Sequence, residues 1–176
     1  DYLFMNIEIL YEDEGILAID KPSGIKVHGD GINKEETLAD WILEQYPQIK
    51  NVGEEGFAQN GTTILRPGIV HRLDKETSGV MLIVKNQDVY EALKKQFQDR
   101  SIQKEYLSLV YGVMKNDEGE INLPIGRSTQ DPRKRAAKFG EKSRDAKTLY
   151  KVLQKFERYT YVAAYPKTGR THQIRV

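Results

Sequence analysis

The chain has 176 residues, enough to bury a substantial hydrophobic core as one domain of ordinary size. It contains no cysteine, which excludes disulfide bonds, thiolate catalysis and cysteine-rich zinc sites. It also lacks a run of roughly 20 apolar residues that could span a bilayer, and residues 1–9 lack the basic start and apolar centre of a signal peptide. We therefore expect a soluble, cytoplasmic protein.

Charge is distributed unevenly along the chain, although the formal net charge is only +1. Residues 1–126 contain 13 Lys and Arg against 22 Asp and Glu, whereas residues 127–176 contain 14 against 4. The net charges of the two parts are therefore about −9 and about +10. The C-terminal part is a candidate for binding a polyanion; the alternative is a solvated surface whose charge the acidic part compensates in the fold.

The N-terminal residues predict a β-hairpin. Two short apolar segments, residues 7–11 and 16–20, flank an acidic turn. Lys21-Pro22-Ser23-Gly24 then ends the second strand, because proline cannot continue a hydrogen-bonded ladder. Taken alone, Lys21 is typical of a solvated loop lysine, and we assign no role to His28 in the following loop.

A helix and a loop follow the hairpin. Residues 37–46 carry apolar side chains on one face, Thr37 is the expected N-cap, and Pro47 lies just past the end. Residues 50–68 are rich in glycine and poor in large apolar side chains, so they predict a flexible loop.

The side chains best suited to chemistry form one segment, His71-Arg72-Leu73-Asp74-Lys75-Glu76-Thr77-Ser78-Gly79. The apolar run at residues 80–84 predicts a buried strand, so the polar segment is the loop that leads into it. Catalytic groups are often carried on loops that a rigid sheet positions. This loop offers Asp74 as a nucleophile or base, with Arg72 and His71 close to it in the sequence. The alternative is an ordinary capped turn in which Asp74 accepts hydrogen bonds from nearby backbone amides.

Residues 87–100 predict a second helix, and residues 104–112 alternate like a strand. Residues 124–146 are polar and basic, with only three acids, and predict a long, exposed, mobile hairpin or loop that grips phosphates. Residues 146–156 and 159–165 predict an antiparallel pair. In the first of these strands we expect one face to carry Leu149, Lys151, Leu153 and Lys155.

The last residues predict a turn and the start of a helix. Thr168-Gly169-Arg170 forms the turn, Thr171 is the expected N-cap, and residues 172–175 form the first helical turn. A single helical turn has the entropy cost of nucleation without propagation, so an end at this point is physically unusual.

Four motifs, in order, resemble the RluA-type pseudouridine synthases. The family reads H-R-L-D-x-x-T-S-G before an apolar strand, which residues 71–84 match without departure. The further matches are Lys21-Pro22-Ser23-Gly24, Lys104-Glu105-Tyr106-Leu107 and Thr168-Gly169-Arg170-Thr171-His172-Gln173-Ile174-Arg175. The resemblance implies an α+β fold with a mixed, mainly antiparallel sheet and flanking helices. It also implies that residues 1–176 are one catalytic domain, truncated at its C-terminus and lacking the N-terminal RNA-binding domain of many relatives.

The reaction that the resemblance implies is conversion of uridine to pseudouridine within RNA, without a cofactor or a metal ion. Asp74 would be the nucleophile, Tyr106 would pack on the target base, and Arg175 would keep Asp74 ionised, the three lining one cleft. The alternative for Arg175 is a phosphate contact. Whether Asp74 attacks C1′ of the ribose or C6 of the uracil, or abstracts a proton, stays open.

The remaining residues would bind RNA. Arg72 would fill the space that the flipped nucleotide leaves, His71 would position the loop, and Lys21 with Pro22 would line the active-site region. Contacts to RNA are assigned to Arg133, Lys134, Arg135 and Arg170. The expected partner is structured ribosomal or transfer RNA, with no membrane and no obligatory protein partner, and the protein is expected to be a monomer. Two other functions stay open: a catalytically inactive RNA-binding module, and a nucleoside or glycoside hydrolase that uses Asp74 with a second carboxylate.

Overall fold

The computed structural model describes residues 6–31, 35–58, 60–131, 134–140 and 142–176. The chain divides into two compact units, Asp1–Asp99 and Arg100–Val176. The helices are α1 (Leu38–Gln45) and α2 (Gln87–Gln98). The strands are β1 (Glu8–Glu12), β2 (Ile16–Lys21), β3 (Gly56–Phe57), β4 (Thr63–Ile64), β5 (Gly79–Val84), β6 (Tyr106–Tyr111), β7 (Glu118–Asn122), β8 (Ile125–Arg127), β9 (Arg135–Ala137), β10 (Lys147–Lys155) and β11 (Tyr159–Pro166). The strands pair antiparallel, in agreement with the predicted α+β class.

Neither helix of the described part has the length and apolar character that crossing a membrane requires.

The first unit is built on a three-stranded sheet in the order β1-β2-β5. The predicted N-terminal hairpin and the strand after the polar loop are both confirmed. Leu17 and Ile19 of β2 lie opposite Ile83 and Met81 of β5, and all four side chains are fully buried. Burial of these large aliphatic groups fixes the register, since a slip by one residue would turn them to solvent.

The two predicted helices of this unit are confirmed, with ends within two residues of the expected ones. Thr37 is the N-cap of α1, and its backbone N–H donates to Asp40 Oδ2 at 2.9 Å. Asn86 caps α2, where its side chain accepts a hydrogen bond from the Val89 N–H at 3.0 Å. These contacts satisfy backbone donors that lack a partner in the first helical turn.

Residues 50–68, predicted as a flexible loop, contain a short hairpin of β3 and β4 that the sequence did not indicate. Ile64 of this hairpin is buried, so one apolar side chain is enough to anchor it. At Gly68 the backbone has φ +64°, and a Cβ atom would lie 2.3 Å from the Val84 carbonyl oxygen. Glycine is therefore required where this segment meets the end of β5.

The second unit contains a four-stranded antiparallel sheet in the order β6-β11-β10-β7. The predicted strand at β6 and the β10–β11 pair are confirmed. The sequence analysis missed β7, whose polar residues carry no apolar alternation. The expected common face of β10 is wrong beyond Lys151, because a bulge between Val152 and Gln154 places Lys155 opposite Thr160, on the other face of the sheet.

The predicted helical turn at the end of the chain is also wrong. Residues 171–175 form hydrogen-bonded turns. His172 has φ +59°, in the left-handed region, which an α-helix cannot continue through. Thr171 therefore does not cap a helix.

Candidate functional site

The polar loop at residues 71–78 is anchored in the core of the first unit. Leu73 is 7% exposed, so its buried side chain anchors the middle of the loop in the core. Asp74 is half-buried, and its backbone carbonyl accepts a hydrogen bond from the Thr77 N–H at 3.1 Å. The expected turn is therefore present, and it closes on the main chain of Asp74.

The segment after β2 holds this loop through three groups. The Gly24 N–H donates to the Lys75 carbonyl at 2.8 Å, and the Ser23 hydroxyl donates to the Glu76 carbonyl at 2.9 Å. Lys21 Nζ reaches the Lys75 carbonyl at 3.3 Å. The carbonyl oxygens of Lys75 and Glu76 thus accept hydrogen bonds from the end of β2 and the residues after it, where they would otherwise need water. These bonds hold the residues that follow Asp74 in place.

Lys21 is completely buried, so the interpretation as a solvated lysine is wrong. Its ammonium also donates to the Pro22 carbonyl at 2.7 Å and to the Ile25 carbonyl at 2.9 Å. Burial lowers the pKa of Lys21, and the negative charges of Glu76 and Asp74 act in the opposite direction. Three carbonyls use all three protons of the ammonium group, which makes Lys21 a support of the loop.

The contacts of His71 are those of a positioning group. Its Nε2 accepts a hydrogen bond from the Leu82 N–H of β5 at 2.9 Å. Its ring stacks on Phe97 of α2 with centroids 4.7 Å apart and planes at 19°. His71 therefore ties the start of the loop to a strand and a helix.

Arg72 is exposed, and it makes a contact that the sequence analysis missed. Its Nη1 donates to His28 Nε2 at 2.8 Å, while His28 Nδ1 lies 2.8 Å from the Gly29 carbonyl oxygen. Burial lowers the pKa of His28, and the positive charges of Arg72 and Arg66 lower it further, against the Gly29 hydrogen bond. The sequence offered one signal for this contact: His28 lies four residues after the Lys21-Pro22-Ser23-Gly24 motif.

In the second unit, Tyr106 is the first residue of β6 and lies opposite Ala164 of β11. It is half-buried, and it shares one side of the strand with Ser108 and Val110. Tyr106 therefore lies on an edge strand of the sheet, on its more buried side, whereas Leu107 on the other side is 58% exposed.

Gln173 organises the last turn, a role that the sequence analysis did not assign. Its side-chain oxygen accepts hydrogen bonds from the Thr168 hydroxyl at 2.7 Å and the Arg170 N–H at 2.9 Å. Its side-chain nitrogen donates to the Lys147 carbonyl and to the Thr148 hydroxyl, each at 3.0 Å. The Gln173 amide thus makes four hydrogen bonds, two through its oxygen and two through its nitrogen. They fix this turn, which contains Arg175, to the start of β10.

The basic segment contains a hairpin, in which β8 and β9 pair antiparallel. Arg127 lies directly opposite Arg135 across this pair. Lys134 closes the turn through its backbone, which accepts from the Ser128 N–H at 3.0 Å. Arg133 lies outside the described residues. Arg170 donates through Nε to the Asp145 carbonyl at 2.8 Å, so part of its guanidinium supports the backbone.

The expected catalytic residues are divided between the two units: Asp74 belongs to the first, and Tyr106 and Arg175 belong to the second. Their grouping in one cleft stays a prediction. Within the described residues, His, Asp and Glu side chains form no group of three or more that could hold a metal ion.

Comparison with known proteins assigns these motifs to one family. Residues 15–176 match the family described as RNA pseudouridylate synthase. The chain is 34% identical to an uncharacterized RNA pseudouridine synthase of Bacillus subtilis, with 98% of this chain and 53% of the relative covered. It is 40% identical to ribosomal large subunit pseudouridine synthase D of Pseudomonas aeruginosa, with 98% and 49% covered. The chain thus spans about half the length of these relatives.

Two solved human structures have a similar fold. RNA pseudouridylate synthase domain containing 1 superposes with a TM-score of 0.72 at 23% identity, covering 97% of this chain and 63% of that chain. RNA pseudouridylate synthase domain containing 4 superposes with a TM-score of 0.70 at 26% identity, covering 96% and 62%. These likenesses confirm the predicted fold class.

Proposed function

The chain belongs to the RNA pseudouridylate synthase family, and on that premise we propose that it carries the catalytic centre of an enzyme that converts uridine to pseudouridine within RNA. The reaction breaks the bond between N1 of uracil and C1′ of ribose, turns the base, and joins C5 to C1′. It is an isomerisation: C5 loses its hydrogen to solvent as a proton, N1 takes up a proton, and every other atom of the uracil is retained. The observation that carries the proposal is the complete H-R-L-D-x-x-T-S-G loop, held by the Lys21-Pro22-Ser23-Gly24 segment.

We assign the chemical step to Asp74. A ribose carbon that loses its base acquires oxocarbenium character, and a carboxylate at that point stabilises or captures it, as in retaining glycoside hydrolysis. Such a carboxylate must be held within a fraction of an ångström of its productive position. The bonds from Lys21, Ser23 and Gly24 to the residues after Asp74 support this assignment.

Tyr106, Arg72 and Arg175 complete the proposed site. The target nucleotide must leave its stack before any group can reach C1′ or C5, at a cost of a few kcal/mol. Arg72, an exposed residue of the loop, is long and planar enough to occupy the vacated space. In this proposal Tyr106 supplies an aromatic face for the flipped base, and Arg175 supplies the positive charge that partners Asp74.

We further propose that the basic hairpin β8–β9 grips the RNA backbone. Like charges directly opposite on paired strands repel, so the Arg127 and Arg135 pair favours an anion that lies between or above the two side chains. Lys134 and the sequence neighbour Arg133 add to the same cationic stretch. A polyanion such as RNA relieves this repulsion and releases counterions when it binds.

Structured RNA is the proposed substrate, and ribosomal RNA is the first to test. The names of the Pseudomonas aeruginosa relative and of a Borreliella burgdorferi relative, 37% identical, both specify the large ribosomal subunit. A Vibrio cholerae relative, also 37% identical, is named a dual-specificity enzyme. Transfer RNA, the other substrate that the family resemblance implies, is the second to test. The absence of cysteine from the chain supports a cytoplasmic location.

The test follows the hydrogen that the reaction must expel from C5. The full-length protein that contains this chain is incubated with RNA carrying tritium at C5 of uridine, and release of tritium to water is measured. We expect release from the wild-type protein, and loss of many orders of magnitude of rate for Asp74→Asn, because asparagine keeps the size but removes the charge and the nucleophilicity. RNA affinity should stay within a few-fold. Asp88→Asn, which changes an exposed carboxylate at the start of α2, is the matched control and should release tritium at the wild-type rate.

The same assay separates the other two functions. An inactive RNA-binding module would bind RNA and release no tritium in either form. A hydrolase would release free uracil and leave an abasic ribose, which the RNA would reveal by strand cleavage in base. Tritium release that survives in Asp74→Asn would remove Asp74 from its assigned role.

A further inference from the structure

His28 and Arg72 form a side-chain contact that the proposed chemistry does not use. An arginine guanidinium has donors and no acceptor, so His28 Nε2, 2.8 Å from Arg72 Nη1, must be unprotonated. A carbonyl oxygen can only accept, so His28 Nδ1, 2.8 Å from the Gly29 oxygen, must carry a proton. Both contacts are satisfied together only by the neutral ring with its proton on Nδ1.

We propose that His28, in this neutral form, is a positioning residue that holds the Arg72 guanidinium beside the catalytic loop, so that protonation of His28 releases Arg72 and slows the reaction. The inference rests on the proposed function, because Arg72 is the group that fills the space left by the flipped nucleotide. A guanidinium on a long, exposed side chain loses considerable rotamer freedom when it is fixed. The hydrogen bond to His28 fixes the guanidinium in the free protein, so this rotamer entropy is already lost before RNA binds.

The surroundings of His28 make the arrangement sensitive to pH. The charged groups that act on its ring are the guanidinium groups of Arg72 and Arg66, and Asp74 in turn acts on Arg72. A proton on Nε2 would remove the acceptor and place a third positive charge next to two arginines. Burial lowers the pKa of His28, and both arginines lower it further, so the neutral form prevails at pH 7 and the change falls below pH 6.5.

The tautomer can be measured without activity. In ¹⁵N spectra of the histidine rings of the full-length protein at pH 7, we expect His28 to show a protonated Nδ1 and a bare Nε2. A spectrum with the proton on Nε2 would overturn the inference, since that nitrogen could no longer accept from Arg72. A spectrum of mixed tautomers in rapid exchange would overturn it as well, because it would mean that neither contact is kept.

The kinetic test compares two substitutions of one residue. His28→Leu removes the acceptor, and we expect kcat for tritium release to fall about tenfold, the equivalent of one hydrogen bond to a charged group. KM should stay within about twofold, because contacts to the RNA backbone are made elsewhere. His28→Gln carries an amide oxygen that can accept from Arg72, and it should recover most of the rate. Tyr46→Phe, which removes a 3.1 Å hydrogen bond to Glu12 in the same unit, is the control and should keep the wild-type rate.

The pH profile separates positioning from a merely structural role. In the wild-type protein we expect kcat to decline below pH 6.5, and we expect His28→Gln to lack that decline until carboxylates protonate. Equal loss of rate in the Leu and Gln variants with an unchanged profile would overturn the inference and leave the proposed function standing. Absence of tritium release from the wild-type protein on every RNA would instead overturn the proposed function and the role of His28 with it.

Discussion

The loop around Asp74 and the basic hairpin β8–β9 differ in how their functional side chains are held. In the loop, the carbonyls of Lys75 and Glu76 accept hydrogen bonds from a buried lysine, a backbone amide and a hydroxyl. In the hairpin, Arg127 lies directly opposite Arg135, so two like charges face each other across the paired strands. The first region is held by fixed hydrogen-bond partners, whereas the second places two positive charges opposite each other.

This difference matches what the two proposed tasks require. A catalytic carboxylate is useful only at a defined position, and a shift of about 1 Å can cost about a hundredfold in rate. A phosphate contact requires charge more than geometry, because most of its free energy comes from released counterions. Substitutions in the loop should therefore lower kcat, whereas substitutions in the hairpin should weaken RNA binding and change its salt dependence.

Among the substitutions that compare how the two regions are held, the largest effect is expected for Lys21→Met, which keeps the length of the side chain but removes its three donors. Three carbonyls would lose a buried partner, so we expect the unfolding free energy to fall by about 2 kcal/mol. We also expect kcat to fall about a hundredfold as the loop moves. Urea unfolding and tritium release measure the two effects. Lys50→Met changes an exposed lysine of the same unit and should alter neither. A stable Lys21→Met protein with normal kcat would show that the loop does not depend on this clamp.

A smaller effect is expected for the triple variant Arg127→Ala, Lys134→Ala, Arg135→Ala. RNA affinity at moderate salt should fall about tenfold with kcat unchanged. The slope of log affinity against log salt should flatten by about 2, roughly 0.7 to 0.9 for each lost phosphate contact. The control is Lys147→Ala with Lys155→Ala, because these lysines already pair with Glu120 and Asp117 at 2.7 Å. An equal change of slope per charge in both variants would mean that net charge alone matters.

The smallest effect is expected for Ser23→Ala, which removes an exposed hydrogen bond to the Glu76 carbonyl. Water can replace the hydroxyl, so the loss should be about 0.5–1 kcal/mol, a two- to fivefold decrease in kcat. Ser23→Thr keeps the hydroxyl and should restore the rate. A decrease in Ser23→Ala as large as that in Lys21→Met would show that the loop is held chiefly at its exposed side.

Much of this architecture could be predicted because its signals are local. The strand after the loop was recognised from its continuous apolar run, and both helices from their periodicity and caps. The hairpin β3–β4 and strand β7 were missed, because a two-residue strand and a polar strand carry no such pattern. The left-handed conformation of His172 was also missed, since it depends on the hydrogen bonds that Gln173 makes with β10.

The amino-acid sequence by itself determined the family, the fold class and the proposed reaction, because catalytic residue types are preserved as ordered motifs that can be read without contacts. Only the tertiary structure decided how those residues are supported. Lys21 and Lys75 are 54 residues apart in the chain, and Arg72 and His28 are 44 apart. Both partners come together because β2 and β5 pair antiparallel, so that the end of β2 at Lys21 lies opposite Gly79, where the loop enters β5. A pairing over that distance depends on the burial of Leu17, Ile19, Met81 and Ile83, a collective property of the core that no single motif contains.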